Sequence, residues 1–89
     1  MILIAEGDGG MQALYLEGKR VLYNSEGPLD AVSVLCELAD TVVKDVYILD
    51  IANWYMPETQ DRLIPLNTGN KTIKECEEEG IDWVAKTRG

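Results

Sequence analysis

Few side chains in this chain are suited to catalysis or metal binding. Histidine is absent, which removes the commonest general base, the Ser-His and Cys-His pairs and most transition-metal sites. The two cysteines, Cys36 and Cys76, therefore have no histidine to activate them as nucleophiles. Neighbouring carboxylates such as Glu37 and Asp40 are predicted to lie on a solvated helix face rather than in a cleft. We therefore expect a protein that is not an enzyme, with no catalytic residues, no metal and no cofactor.

A glycine-rich segment at residues 6–10 (EGDGG) is the remaining candidate for a ligand site. A phosphate-binding loop is followed by a helix and closed by Lys-Ser or Lys-Thr, and neither signal follows here. A calcium loop of the EF-hand type needs about five oxygen ligands over about twelve residues, and only Glu6 and Asp8 are present. Because Gly and Asp are typical turn residues, we interpret this segment as a turn between strands.

The charge of the chain is both large and uneven. The net charge is −8 over 89 residues, which favours a basic partner and disfavours direct binding to nucleic acid or to an anionic membrane. Residues 1–61 carry eleven acids and three bases, whereas residues 62–89 carry five of each. The whole excess of negative charge therefore lies in the first two thirds of the chain.

The candidate partner-binding residues follow from this distribution. Three acids lie on one face of a predicted helix, at spacings that bring side chains of successive turns together: Asp30, Glu37 and Asp40. Four further acids are predicted to extend that surface: Asp45, Asp50, Glu58 and Asp61. Two aromatic residues that precede Met56-Pro57 are added as contacts, because such side chains are enriched at interfaces: Trp54 and Tyr55. Two alternatives stay open, namely that the acids only keep the protein soluble and that the aromatic residues only pack.

Hydrophobic periodicity predicts the elements that position these residues. The predicted order is a strand at 2–5, a hairpin of 12–17 and 20–24, an amphipathic helix at 29–43, a strand at 45–51, a short edge strand at 62–66, a short helix at 71–79 and a strand at 81–86. Gly18-Lys19 is predicted to form a type II′ turn, and Pro28 to be the first helical residue. The fold class is therefore α+β. A mixed or mostly antiparallel sheet of four to five strands carries one long and one short helix on one face, in a single domain of residues 1–89.

The start of the chain predicts its compartment. It lacks the basic region and long apolar run of a secretory leader, and no stretch reaches the roughly 18 apolar residues of a membrane span. We expect a cytoplasmic protein whose cysteines are free thiols. Cys36 is predicted to pack in the core, because it follows Val34 and Leu35 in an apolar run.

In size, acidity and lack of catalytic side chains, the chain resembles small phage-encoded DNA mimics, which block host DNA-binding proteins such as the nucleoid protein HU. The resemblance is one of class, and no motif carries it. It implies a DNA- or RNA-binding partner rich in Lys and Arg, a location in the host cytoplasm and a possible homodimer. Immunity-type inhibitors of nucleases share the acidity and size, and they are one alternative. The other is a small structural or regulatory subunit.

Overall fold

The fold is built on one four-stranded mixed sheet. The computed structural model describes residues 1–39 and 45–84. In the order β3-β2-β1-β4, the sheet contains β1 (Ile2–Glu6), β2 (Gln12–Leu16), β3 (Lys19–Asn24) and β4 (Val46–Asp50). Strand β1 pairs antiparallel with β2 and parallel with β4, and β2 pairs antiparallel with β3. The helices are α1 (Ala31–Leu38) and α2 (Ile73–Glu78). The α+β class, the mixed sheet and the pair of one longer and one shorter helix are as predicted.

One face of the sheet, which we call the core face, carries the hydrophobic core. Its side chains alternate along the strands, as a half-buried sheet requires. They are Leu3, Ala5, Ala13, Tyr15 and Leu49. Four buried residues from the carboxyl-terminal part of the chain pack against them, namely Leu63, Ile73, Cys76 and Trp83. Helix α2 therefore covers the core face.

Helix α1 begins over the opposite face, which we call the α1 face. The side chain of Gln12 lies on that face, since it is three residues from Tyr15 in a regular strand, and its Oε1 accepts a hydrogen bond from the backbone N–H of Leu29 at 3.0 Å. The two helices therefore lie on opposite faces of the sheet, whereas the sequence pattern predicts both on one face. Cover of the α1 face is incomplete: Leu14 is fully buried, but Ile48 is 51% exposed.

The hairpin turn differs from the predicted one by one residue. Leu16 pairs with Lys19, so the loop residues are Glu17 and Gly18 rather than Gly18 and Lys19. Both loop residues have positive φ, 49° for Glu17 and 85° for Gly18, which defines a type I′ turn. A β-bulge between Leu14 and Tyr15 then shifts the register again.

We expect Gly18→Ala to lower the free energy of unfolding by about 1–2 kcal/mol, because left-handed backbone costs an L side chain roughly that much. A Cβ at Gly18 would meet only Gln60, at 3.8 Å, so the cost is conformational rather than steric. Gly27→Ala is the matched control, because Gly27 is outside the left-handed region and a Cβ there meets nothing within 4 Å. Urea unfolding of both variants checks this, and equal midpoints would contradict the turn assignment.

Four further predictions differ from the structure. Asp30, not Pro28, sets the start of α1: it is the N-cap residue, and its carboxylate accepts from Ser33 N at 3.0 Å. The predicted strand at 62–66 is reduced to a single bridge between Pro65 and Ile51. In the predicted strand at 81–86, Ile81 and Asp82 belong to no strand, Trp83 and Val84 are helical, and 85–86 lie outside the described residues. Cys36 is exposed, and the buried cysteine is Cys76.

Candidate protein-binding surface

A row of polar side chains crosses the α1 face where β1, β3 and β4 end. Glu6 is the register partner of Asp50 on β4 and of Gln12 on β2, and Gln12 is in turn the partner of Asn24 on β3. Neighbouring strands are about 5 Å apart, so the carboxylates of Glu6 and Asp50 start from adjacent positions on one face. Like charges placed side by side destabilise a sheet. The parallel register thus places these two acidic residues side by side at the ends of β1 and β4.

The uncharged half of this row fixes the start of α1. Gln12 accepts from Leu29 N, and Asn24 Nδ2 donates to the carbonyl of Pro28 at 2.9 Å. Asn24 Oδ1 also accepts from Glu26 N at 3.0 Å. These three bonds tie residues 26–29 to the ends of β2 and β3. Asp30 therefore lies at the same end of the sheet as the two strand-end carboxylates.

Five acids gather there, and we call them the acidic end: Glu6, Asp8, Glu26, Asp30 and Asp50. All except the half-buried Glu6 are exposed. Two of the basic residues that the structure describes in 1–39 and 45–84 lie on a strand of the sheet. They are Lys19 and Arg20, at the start of β3, and the acidic end lies at the other end of that strand. The other described bases, Arg62, Lys71 and Lys74, belong to the segment that covers the core face. The five acids thus lie on other elements than the described bases, and acids and bases are mixed around α2.

The structure extends the acidic end along α1 with Glu37. This residue is exposed and lies about 10.5 Å along the helix axis from Asp30, at 1.5 Å per residue. Asp45 is exposed just before β4, at the end of that strand remote from Asp50, so roughly 16 Å separates the two. Asp40 lies outside the described residues. Of the predicted acids, Asp30 and Asp50 thus lie at the acidic end, and Glu37 lies further along α1.

Glu58 and Asp61, predicted to extend the same surface, are placed elsewhere. Glu58 lines a shallow hollow with Lys19 and Arg20, and its backbone carbonyl accepts from Arg20 N at 2.8 Å. Asp61 is half-buried and lines another hollow with Arg62, Lys74 and α2. Bases line the same hollows as both carboxylates. The predicted surface is therefore divided.

The predicted aromatic contacts lie on a loop that the protein anchors on both sides. Residues 53–57 run over the core face; the buried Asn53 begins this aromatic loop, and the buried Met56 and Pro57 end it. Tyr15 donates its hydroxyl hydrogen to the Pro57 carbonyl at 2.5 Å, and Arg20 Nη1 donates to the Met56 carbonyl at 2.5 Å. Between these anchors Trp54 is 85% exposed and Tyr55 50% exposed. The loop thus presents two aromatic side chains to solvent instead of burying them, on the opposite side of the sheet from α1.

Sequence reasoning missed Glu6, because it treated the acids of α1 and β4 without knowing the partner of β1. Parallel pairing between Glu6 and Asp50 joins residues 44 positions apart, and no local pattern encodes it. One sequence signal could have indicated this pair: both β1 and β4 are apolar strands that end on an acidic residue, Glu6 and Asp50.

Other kinds of site find little support in the part of the chain that the structure describes. No three His, Cys, Asp or Glu side chains there are grouped so as to hold a metal ion. No helix within it has the length and apolar character needed to cross a membrane. Cys36 and Cys76 are free thiols. The remaining candidate sites are the acidic end and the exposed aromatic loop.

No protein-family model, no curated protein and no solved structure matches the chain.

Proposed function

We propose that this chain is a non-enzymatic binding protein that inhibits a basic nucleic-acid-binding protein, its carboxylates taking the place of phosphates. The observation that carries the proposal is the acidic end, where five acids gather around the ends of β1, β3 and β4. Glu6 and Asp50 are register partners, so two acidic residues lie side by side there. A basic partner would neutralise them. The partner is a DNA- or RNA-binding protein, and the chain itself does not bind nucleic acid.

The aromatic loop favours a second candidate, an immunity-type inhibitor of a nuclease. Such a protein combines acids with aromatic anchors, and an exposed Trp54 on an anchored loop is suited to that use because the loop backbone loses little conformational freedom on binding. In this case Trp54→Ala would weaken binding more than neutralisation of the acidic end. If the first candidate is correct, neutralisation of the acidic end would weaken binding more than Trp54→Ala.

Two triple variants with the same net charge test the proposal. The first neutralises the acidic end with Glu6→Gln, Asp30→Asn and Asp50→Asn, and Asn at position 30 keeps the N-cap of α1. The second neutralises three exposed acids of α2 with Glu75→Gln, Glu77→Gln and Glu78→Gln. Each variant serves as bait in a cell lysate, and retained nucleic-acid-binding proteins are eluted with a salt gradient and titrated against the bait.

We expect the first variant to bind its partner about ten- to a hundredfold more weakly, because several charge contacts are lost together. The α2 variant should stay within about threefold of the wild type. Wild-type binding should also fall steeply as ionic strength rises. Equal losses in both variants would mean that only total charge matters, which is the behaviour of a subunit kept soluble by its acids. Retention of no basic protein would refute the proposal.

A further inference from the structure

Strand β4 is an edge strand whose outer backbone groups are open. Ile51 N donates to the Glu6 carbonyl of β1 at 3.0 Å, whereas Ala52 N points the other way and donates to the Ile64 carbonyl at 2.8 Å. Because backbone groups alternate between the two sides of a strand, every second residue of β4 also points its N–H and C=O away from β1. These residues, which we call the open edge, are Val46, Ile48 and Asp50. No hydrogen bond reaches their outward groups in the part of the chain that the structure describes.

The other edge strand of the sheet, β3, is protected against further pairing. It begins with Lys19 and Arg20, and a β-bulge interrupts its pairing with β2. Charged residues and bulges both hinder the addition of another strand. Residues 58–60 also lie along its outer side, where Arg20 N donates to the Glu58 carbonyl at 2.8 Å. Strand β4, by contrast, contains neither lysine nor proline and pairs with β1 in unbroken register, so its edge can accept a strand.

The side chains of the open edge indicate what an added strand should carry. Val46, Ile48 and Asp50 share the α1 face, because side chains of alternate residues lie on one side of a sheet. Val46 is 42% exposed and Ile48 51% exposed, whereas Asp50 lies beside Glu6. Side chains directly opposite on neighbouring strands interact. Apolar residues therefore suit the positions opposite Val46 and Ile48, and Lys or Arg suits the position opposite Asp50.

Charge favours a basic partner over a second copy of the chain. Two copies of β4, paired antiparallel about Ile48, would place each Asp50 opposite a Val46, which gives the acid no counter-charge. Two chains with a net charge of −8 also repel each other. A segment with Lys or Arg opposite Asp50 instead brings a base next to Asp50 and, one strand further, Glu6, because neighbouring strands are about 5 Å apart.

We infer that the open edge binds an extended segment of the basic partner as a fifth strand, with two apolar residues beside Val46 and Ile48 and a Lys or Arg beside Asp50. This inference rests on the proposed function, since it names the part of the basic partner that the chain holds. In this mode of binding, main-chain hydrogen bonds supply affinity and alternate side chains supply specificity. Salt weakens mainly the contact with Asp50, because the main-chain bonds join neutral groups.

N-methylated peptides test the main-chain contact. The probe has the sequence Lys-Thr-Val-Thr-Val, so that an antiparallel strand places Lys beside Asp50 and the Val residues beside Ile48 and Val46. One version is N-methylated at both Val residues, whose N–H groups would face β4. Its matched control is N-methylated at both Thr residues, whose N–H groups would face solvent. The two versions have the same side chains and charge, and each is titrated into isotopically labelled protein and followed by NMR of the backbone amides.

We expect the Thr-methylated peptide to bind at least about tenfold more tightly, because the Val-methylated peptide has lost its donors to β4. The amides of Ile48 and Asp50 should also exchange with deuterium more slowly in the complex. Equal binding of the two versions, or binding of neither, would overturn the inference. The proposed function fails by a different result, namely that no basic protein is retained from the lysate.

Two pairs of variants test the same edge from the side of the protein. Ile48→Pro removes an outward N–H and no bond to β1, which an edge strand tolerates, and Ile48→Val keeps the N–H as its control. Asp50→Asn removes the charge beside the peptide Lys, and Glu77→Gln, at an exposed acid of α2, is its control. Ile48→Pro and Asp50→Asn should each weaken the Thr-methylated peptide at least about fivefold, and both controls should stay within about twofold.

Circular dichroism shows whether Ile48→Pro is folded; if it is not, the pair of methylated peptides decides the question. Unchanged binding by a folded Ile48→Pro variant would overturn the inference. Sedimentation provides the remaining check. A dimer that Ile48→Pro dissociates would mean that the open edge takes a second copy, which also overturns the inference.

Discussion

Asn53→Ala is expected to lower the free energy of unfolding by about 3 kcal/mol. The side chain is 3% exposed and joins two backbone groups: its Nδ2 donates to the Arg62 carbonyl at 3.2 Å, and its Oδ1 accepts from Ile64 N at 2.6 Å. Alanine leaves that carbonyl and that N–H in a partly buried place without partners. Each such group costs about 1–3 kcal/mol.

Asn70→Ala is the matched control, because Asn70 is an exposed residue in the turn before α2. Its free energy of unfolding should stay within about 0.5 kcal/mol of the wild type. Urea unfolding followed by far-ultraviolet circular dichroism compares the two variants. Equal stabilities would show that the Asn53 side chain does not hold the segment at residues 62–64 in solution.

The same substitution has a functional readout. Asn53 is one of the anchors of the aromatic loop, and Tyr15 and Arg20 supply the others. Loss of one anchor should increase the mobility of Trp54, which lowers fluorescence anisotropy, while the buried Trp83 contributes a constant background. A loop that is no longer pre-organised binds any partner less tightly, because its ordering then occurs on binding.

Hydrophobic alternation was sufficient to place the strands of the sheet. It predicted β1, β2, β3 and β4 to within two residues at each end, because each strand has side chains of alternating burial or a continuous apolar run. Helix α2 was also predicted, and it ends before Gly80, whose φ of 74° suits the end of a helix. Hydrophobic alternation and a helix-ending glycine are local sequence patterns, and the folded chain keeps the structures that they predict.

The errors arise where two local signals compete or where the contact is distant. Glycine suits either position of a two-residue hairpin turn. The sequence analysis places Gly18 first, whereas in the structure Gly18 is second and Glu17 precedes it at positive φ. The apolar side chains of α1 are expected from the sequence to face the core, but Val32 and Leu35 are exposed. The direction of α1 depends on the polar row of Gln12 and Asn24, which holds the start of the helix, and periodicity contains no such information.

Tyr15 is the largest fully buried side chain, and its two substitutions separate packing from hydrogen bonding. Tyr15→Ala should lower the free energy of unfolding by about 3–5 kcal/mol through the cavity it leaves, a large share of the roughly 5–15 kcal/mol that stabilises a small domain. Tyr15→Phe keeps the ring and leaves only the Pro57 carbonyl without its donor. That costs about 1–2 kcal/mol. Chemical denaturation at neutral pH measures both, and a Phe variant as unstable as the Ala variant would mean that the hydroxyl, not the ring, dominates.

The buried phenol of Tyr15 also makes the stability difference between the wild type and Tyr15→Phe depend on pH. Burial raises the pKa of Tyr15 well above the usual tyrosine value of about 10, although the charge of Arg20 opposes the rise. Above that usual value the unfolded chain has lost the proton that the folded chain keeps. The wild type therefore loses stability as pH rises, by up to about 1.4 kcal/mol per pH unit from this residue. Tyr15→Phe has no such proton to lose, so the stability gap between the two proteins should narrow between about pH 10 and pH 12. A gap that stays constant would place the phenol in contact with water and leave the aromatic loop without its central anchor.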